Sequence, residues 1–292
     1  MKKTLLALII ILLFLTACTK EEKKVVIASK PMTEQYILVE MLTYLIENNT
    51  DIIVEQKMGI GGGTSNIHPG MLSGEIDIYP EYTGTGWLFV LKEELINDPN
   101  ELYAAVKDKY QEEYGIIWSK LYGFNDTYGL AVKEQLAKEL DISSYSDLAK
   151  VSNTLNIGAE YDFYEREDGF PGLEATYGFQ FDKKTELDIG LKYEGIGSDQ
   201  VDVINIFSTD GRLKQYDLRV LEDDKNFFPS YFAATLIREE TLEKYPELED
   251  VLALLDGQIN NEEMTNLNYL VEIENMDPKV VAEDFLEEKG LK

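Results

Sequence analysis

The sequence predicts an α/β protein folded as two lobes, and three observations carry that expectation. Strand-like and helix-like segments alternate along most of the chain, which is the pattern of mostly parallel sheets flanked by helices. Roughly 270 of the 292 residues follow an N-terminal leader, more than one comfortable hydrophobic core. Hydrophobic residues at 44% and aromatics at 11% supply enough apolar surface for two.

Taken in order, Val25-Val26-Ile27-Ala28 reads as a short strand and 34–48 as a helix, because Ile37, Leu38, Met41, Leu42, Leu45 and Ile46 recur at helical spacing. A second strand is expected at 52–57, a turn at Gly61-Gly62-Gly63-Thr64-Ser65-Asn66, and a short helix over 67–72. The strand-like run Glu75-Ile76-Asp77-Ile78 leads into Tyr79-Pro80-Glu81-Tyr82-Thr83-Gly84-Thr85-Gly86-Trp87, an aromatic, turn-rich segment suited to presenting a ring and two hydroxyls. A helix over 100–114 follows, then a loop over 124–128 and a strand over 129–132. Further strands are expected at 155–159 and 201–206, with a helix-like stretch over 172–177 between them. After Leu236-Ile237-Arg238 come helices over 246–255, 261–272 and 278–289, which the pattern assigns to closing the first lobe.

The leader itself has Lys2 and Lys3, the apolar run from Leu5 to Leu15, and the small-residue site Leu15-Thr16-Ala17-Cys18. It is too short to span a bilayer, and Cys18 is the one cysteine of the chain, placed where a lipobox requires its thiol. Residues 1–17 therefore read as a lipoprotein signal peptide, Cys18 as the lipidated N-terminus of a bacterial lipoprotein, and 18–24 as a charged tether. An ordinary secretory signal with a chance cysteine is the other reading. Both leave no cysteine pair for an intrachain disulfide.

A formal charge of −28, from 55 acidic against 27 basic residues, excludes nucleic acid as a partner, since phosphate recognition needs clustered Lys and Arg. A solvated acidic surface that keeps a tethered protein soluble accounts for it. His68 is the single histidine, which rules out paired-histidine metal motifs, and with no cysteine beyond Cys18 thiolate catalysis and structural zinc fall away too. His68 reads as a helix-start or packing residue. The glycine turn at 61–65 lacks the Lys-Ser/Thr ending of a phosphate loop and fails the dinucleotide pattern; it reads as a tight strand-to-helix turn, with an anion cradle as the alternative. No cofactor is implied and the chain is not read as an enzyme.

Four aromatics sit at expected loop starts: Tyr82, Tyr128, Phe207 and Tyr231. A quaternary ammonium has no N–H to donate, so a site must surround its methyl groups with aromatic faces, each worth about 0.5–2 kcal/mol once water is excluded. With 18 Tyr and 12 Phe in the chain, some ring lies near any loop, and packing against a lobe is the ordinary fate of each.

The order of motifs resembles the substrate-binding proteins of the glycine betaine, carnitine and choline ABC importers, a branch of the type II periplasmic-binding-protein fold. The motifs that carry it are Ser29-Lys30-Pro31-Met32-Thr33-Glu34-Gln35-Tyr36-Ile37-Leu38, then Glu75 through Thr85, then Ser208-Thr209-Asp210-Gly211-Arg212 and Leu221-Glu222-Asp223-Asp224-Lys225. The resemblance spans essentially the whole mature chain. It implies a first lobe of residues 25–125 and 230–292, a second lobe of 126–229, and a ligand cleft between them that closes about crossings near 124–128 and 228–231.

The resemblance further implies an aromatic box of Tyr82, Tyr128, Phe207 and Tyr231 around a trimethylammonium group. Phe207 departs from the tyrosine more usual there, keeping the π face and losing a hydroxyl. Lys30, Thr85 and Arg166 match positions that take a carboxylate, and Asp126 falls where a main-chain carbonyl faces the ammonium. In this reading the protein is an extracytoplasmic, lipid-anchored receptor that delivers a quaternary-ammonium solute to an ABC permease driven by its ATPase. Glycine betaine, carnitine, choline, proline betaine and ergothioneine all qualify, and the stretch from Gly61 to His68 keeps an ergothioneine receptor open. Outside that reading stand an amino-acid or other anion receptor and a non-transport enzyme on the same fold.

Overall fold

The computed structural model describes residues 22–213 and 215–291. The expected signal peptide, Cys18 and the start of the tether lie outside the described residues. The chain opens with strand β1 (Lys24–Ala28), helix α1 (Thr33–Asn49), β2 (Ile53–Lys57), α2 (Thr64–Ser73) and β3 (Ile78–Tyr82). A π-helical turn over Thr85–Val90 leads to α3 (Pro99–Tyr114) and the long β4 (Ile116–Asn125). The chain then crosses into a second sheet with β5 (Tyr128–Lys133), α4 (Glu134–Leu140), α5 (Tyr145–Val151) and β6 (Asn156–Ala159). There follow α6 (Tyr161–Glu165), α7 (Phe170–Tyr177), β7 (Lys183–Glu186), α8 (Leu191–Gly197), β8 (Val203–Phe207) and β9 (Leu218–Val220). It returns through β10 (Phe232–Arg238) and ends in α9 (Glu239–Lys244), α10 (Glu247–Leu252), α11 (Asn261–Glu272) and α12 (Pro278–Lys289).

Two five-stranded sheets result, ordered β2-β1-β3-β10-β4 and β7-β6-β8-β5-β9. Both are mixed. β1 runs parallel to β2 and β3, and β6 runs parallel to β7 and β8, while β10 and β5 lie antiparallel to their neighbours. The antiparallel strands are the ones next to the two crossings between sheets. Pro80 inside β3 has no N–H to give a ladder, and the β1–β3 register is confined to Ile27 opposite Ile78.

Local signals set the helix ends. Asp98 caps α3 by accepting from the N–H groups of Asn100 and Glu101 behind Pro99, and Asn260 with Glu263 forms a capping box on α11. The apolar stripe of α1 is fully buried at Ile37, Leu38, Met41, Leu42, Leu45 and Ile46, each worth about 1.5–3 kcal/mol of transfer free energy. It packs against the last helices, and α10, α11 and α12 all share its core, so the C-terminal segment completes the first sheet's lobe. A second core around Leu130, Val132, Leu148, Leu173 and Val203 fills the other lobe.

Three departures from the sequence reading affect the site. Residues 116–125 form strand β4, with Ile116, Trp118, Tyr122 and Phe124 buried, where a loop was expected to open at 124. Tyr79 to Tyr82 belong to strand β3 and are not a turn, since antiparallel pairing with β10 holds them despite Pro80. Phe207 closes strand β8 and does not start a loop.

Candidate solute-binding site between the sheets

The parallel strands point their C-terminal ends toward the space between the lobes, the position where open α/β sheets gather ligand groups. Lys30 follows β1, Tyr82 ends β3, Glu160 follows β6 and Phe207 ends β8. Together with residues of the crossings they line one cavity of about 230 Å³. All eight residues expected from the sequence border it: Tyr82, Tyr128, Phe207, Tyr231, Lys30, Thr85, Arg166 and Asp126.

The rings take their places from strand register. Tyr128 and Phe207 are direct cross-strand partners in the β5–β8 ladder, and their ring centroids lie 5.1 Å apart. Tyr231, next to β10, meets Tyr128 at 5.4 Å with the planes at 90°. Gly84 makes room for it: a Cβ there would stand 2.7 Å from Tyr231 Cε1. Tyr82 borders the same cavity from β3, its hydroxyl donating to Glu34 at 2.6 Å and accepting from Gln35 at 3.1 Å.

Each cation at the cavity already holds a carboxylate. Lys30 is bonded to Glu81, which also accepts from Thr64 at 2.7 Å, Tyr79 at 3.0 Å and the Tyr82 N–H at 2.8 Å. Burial pushes the Lys30 ammonium below its ordinary pKa, while Glu81 opposes the shift. Arg166 forks onto Asp168, with Nε at 2.8 Å from Oδ1, and Tyr231 donates to the same carboxylate at 3.1 Å. Its guanidinium lies 4.6 Å from the Phe89 ring centroid, bringing an arginine of one lobe onto an aromatic of the other. Lys192, with no exposed surface, donates to Glu160 at 2.6 Å and stands 4.7 Å from the Phe207 centroid.

Asp126 and Thr85 are buried beside these groups. The Asp126 N–H is held by the Tyr231 carbonyl at 3.0 Å, and its carboxyl receives the Thr209 hydroxyl at 2.8 Å. Burial, then Glu34, push that carboxyl well above the usual range.

The sequence reading did not single out Phe163, Phe89 or Glu160, all of which border the cavity, and the Gly63–Thr64 edge of the glycine turn, read there as a tight turn with an anion cradle as the alternative, borders it too. Phe163 packs on Tyr128 at 5.4 Å. The signal for Glu160 and Phe163 was their place just past strand β6, the same signal that marks Lys30 and Tyr82. His68 is buried in α2 between the Tyr110 and Tyr114 rings, away from the cavity.

Residues 23–288 match the family model described as the substrate binding domain of ABC-type glycine betaine transport systems. The chain is 45% identical over 265 residues to the ergothioneine transport permease/ergothioneine binding protein of Helicobacter pylori, covering 91% of this chain and 47% of that protein, so it spans about half the relative's length. It is 38% identical to the carnitine transport binding protein of Listeria monocytogenes, with 90% of this chain and 86% of the relative covered. A crystal structure of a glycine betaine/carnitine/choline ABC transporter superposes with a TM-score of 0.74 at 33% identity, covering 91% of this chain and 99% of that one. The type II periplasmic-binding-protein fold read from the motifs is thus the fold of these neighbours. The chain belongs to the family of substrate-binding domains of ABC-type glycine betaine transport systems.

Proposed function

We propose that the protein is an extracytoplasmic receptor that takes a quaternary-ammonium solute into the cavity between its lobes and hands it to an ABC permease powered by an ATPase. The observation that carries this reading is the convergence of Tyr82, Tyr128, Phe207 and Tyr231 on one cavity of about 230 Å³. Methyl groups on nitrogen offer no hydrogen bond, so ring faces are the groups able to hold them. Lys30, Thr85 and Arg166 border the same space and serve the solute's anionic end, with Lys30 and Arg166 held in place by Glu81 and Asp168. Residues 25–125 and 230–292 form one closing lobe and 126–229 the other. Cys18 anchors the chain by lipid on the outer face of the cell membrane, and no nucleic acid or cofactor takes part.

Within that class, ergothioneine is a second reading, favoured by the 45% identity to a relative named for that solute. Calorimetric titration with glycine betaine, carnitine, choline, proline betaine and ergothioneine separates these. Saturable binding of at least one, weakened by Tyr82→Ala, is the expected result. Unchanged affinity in Tyr82→Ala, or binding of simple amino acids alone, rejects the aromatic reading.

A further inference from the structure

Behind the aromatic rings lies a polar bridge between the lobes that has more acceptors than protons. Glu34 belongs to α1 of the first lobe, Thr209 follows β8 of the second, and Asp126 sits at the crossing between them. The Tyr82 hydroxyl lies 2.6 Å from Glu34 Oε1, the Thr209 hydroxyl 2.6 Å from Glu34 Oε2, and the same Thr209 hydroxyl 2.8 Å from Asp126 Oδ1. Each of these three contacts is at hydrogen-bond distance and needs a proton between its oxygens. The two hydroxyls supply two. The third must come from a carboxyl, because two ionised carboxylates cannot both draw on the single proton of Thr209.

We propose that Glu34, Thr209 and Asp126 form a closure latch that engages when the carboxyl pair holds one proton, so that shutting the cleft on a solute takes up a proton from water. Glu34 is also a positioning residue, since it fixes the Tyr82 ring at the cavity wall through the same contact.

The surroundings agree. Facing Glu34 are Tyr82 on β3, Asp126 at the crossing, Asp210 after β8 and Asn268 on α11, with Gln35 donating to the Tyr82 hydroxyl and Glu272 beside Asp210. The neighbouring cations are committed elsewhere: Lys30 to Glu81, Lys192 to Glu160, and Arg212 to Glu272 at 3.7 Å. Burial, reinforced by Asp210, pushes Glu34 up to about 7. Separating the lobes takes Asp210 away and admits water to Glu34, which together outweigh the loss of the Thr209 hydrogen bond that favours its charged form, and its pKa falls back toward the ordinary carboxylate value.

A group raised in the closed form favours closure fully below its open-form pKa and loses that contribution as pH rises through the closed-form value. Solute affinity therefore falls between the two values by up to about tenfold per pH unit and levels off above. In Glu34→Gln the amide N–H supplies the missing proton permanently.

The test is calorimetry near pH 6 in two buffers of different ionisation enthalpy, with glycine betaine and ergothioneine as probes. The wild type should take up close to one proton per solute, its Kd should rise roughly tenfold from pH 6 to 8, and Glu34→Gln should show neither effect. Small-angle scattering without solute gives a second reading that is independent of the receptor assignment: the wild type should be more compact near pH 6 than near pH 8.5, and Glu34→Gln equally compact at both. Binding without proton uptake, a pH slope that survives in Glu34→Gln, or scattering indifferent to pH overturns the latch. Absence of heat from both probes counts against the solute reading, and the scattering comparison then decides the latch.

Discussion

Tyr128 and Tyr231 meet edge to face, centroids 5.4 Å apart and planes at 90°, where the chain passes out of one sheet and back into the other. Tyr128 opens β5 in the second sheet, and Tyr231 stands immediately before β10 in the first. This corner is therefore built from both lobes, and a ligand group seated in it reads their relative position.

Tyr128→Ala should weaken quaternary-ammonium binding by about 0.5–2 kcal/mol, roughly a 3- to 30-fold rise in Kd measured by calorimetry. Tyr269→Ala is the matched control: its hydroxyl donates to Glu274, just past the end of α11, at an exposed contact, and its removal should leave Kd unchanged.

Gly211 touches the main chain of the opposite lobe. A Cβ there would stand 2.6 Å from the Tyr269 nitrogen and 2.7 Å from its Cα, both backbone atoms that cannot swing aside. Gly211→Ala should hold the lobes apart while each keeps its own core, raising Kd by roughly tenfold or more with little change in the denaturation midpoint. Tight binding by this variant would show that the contact is not made in the solute-bound form.

Lys192 and Glu160 are a buried ion pair of the second lobe, with Asn205 completing the carboxylate's contacts. Lys192→Met leaves Glu160 charged and unpaired, which should cost about 3–5 kcal/mol in urea unfolding. Adding Glu160→Gln to the same chain should recover much of that loss.

His68 is buried between Tyr110 and Tyr114, and desolvation holds its imidazole below the ordinary pKa. A depressed pKa contributes stability above the unfolded-state value near 6.5 and loses it as pH falls toward the folded value, at no more than about 1.4 kcal/mol per pH unit. His68→Phe, which keeps the edge-to-face packing, should flatten the stability profile between about pH 6.5 and 5, as read by chemical denaturation.

Much of this was legible in the chain. The α1 stripe, the strand at 25–28 and the last two helices follow from spacing alone, since a buried face imposes its period on the sequence. β4 was missed because Lys120 interrupts its inward alternation and Gly123 weakens its strand character, although Ile116, Trp118, Tyr122 and Phe124 keep the period of two. The four rings could be named from motif resemblance, but their meeting depends on ladder register, as in Tyr128 opposite Phe207, and register is a relation between distant segments. Glu34 lay inside a motif noted for its resemblance, yet its role rests on Thr209, 175 positions away, which spacing along one helix does not reveal.

The pairing of Lys30 with Glu81, Arg166 with Asp168 and Lys192 with Glu160 leaves the chamber's positive groups internally compensated. Those three pairs carry no net charge between them, so they add little long-range pull of their own for dissolved salt to screen. A dipolar guest that brings its own plus and minus meets neighbours arranged the same way, and its retention should change little between dilute medium and brine.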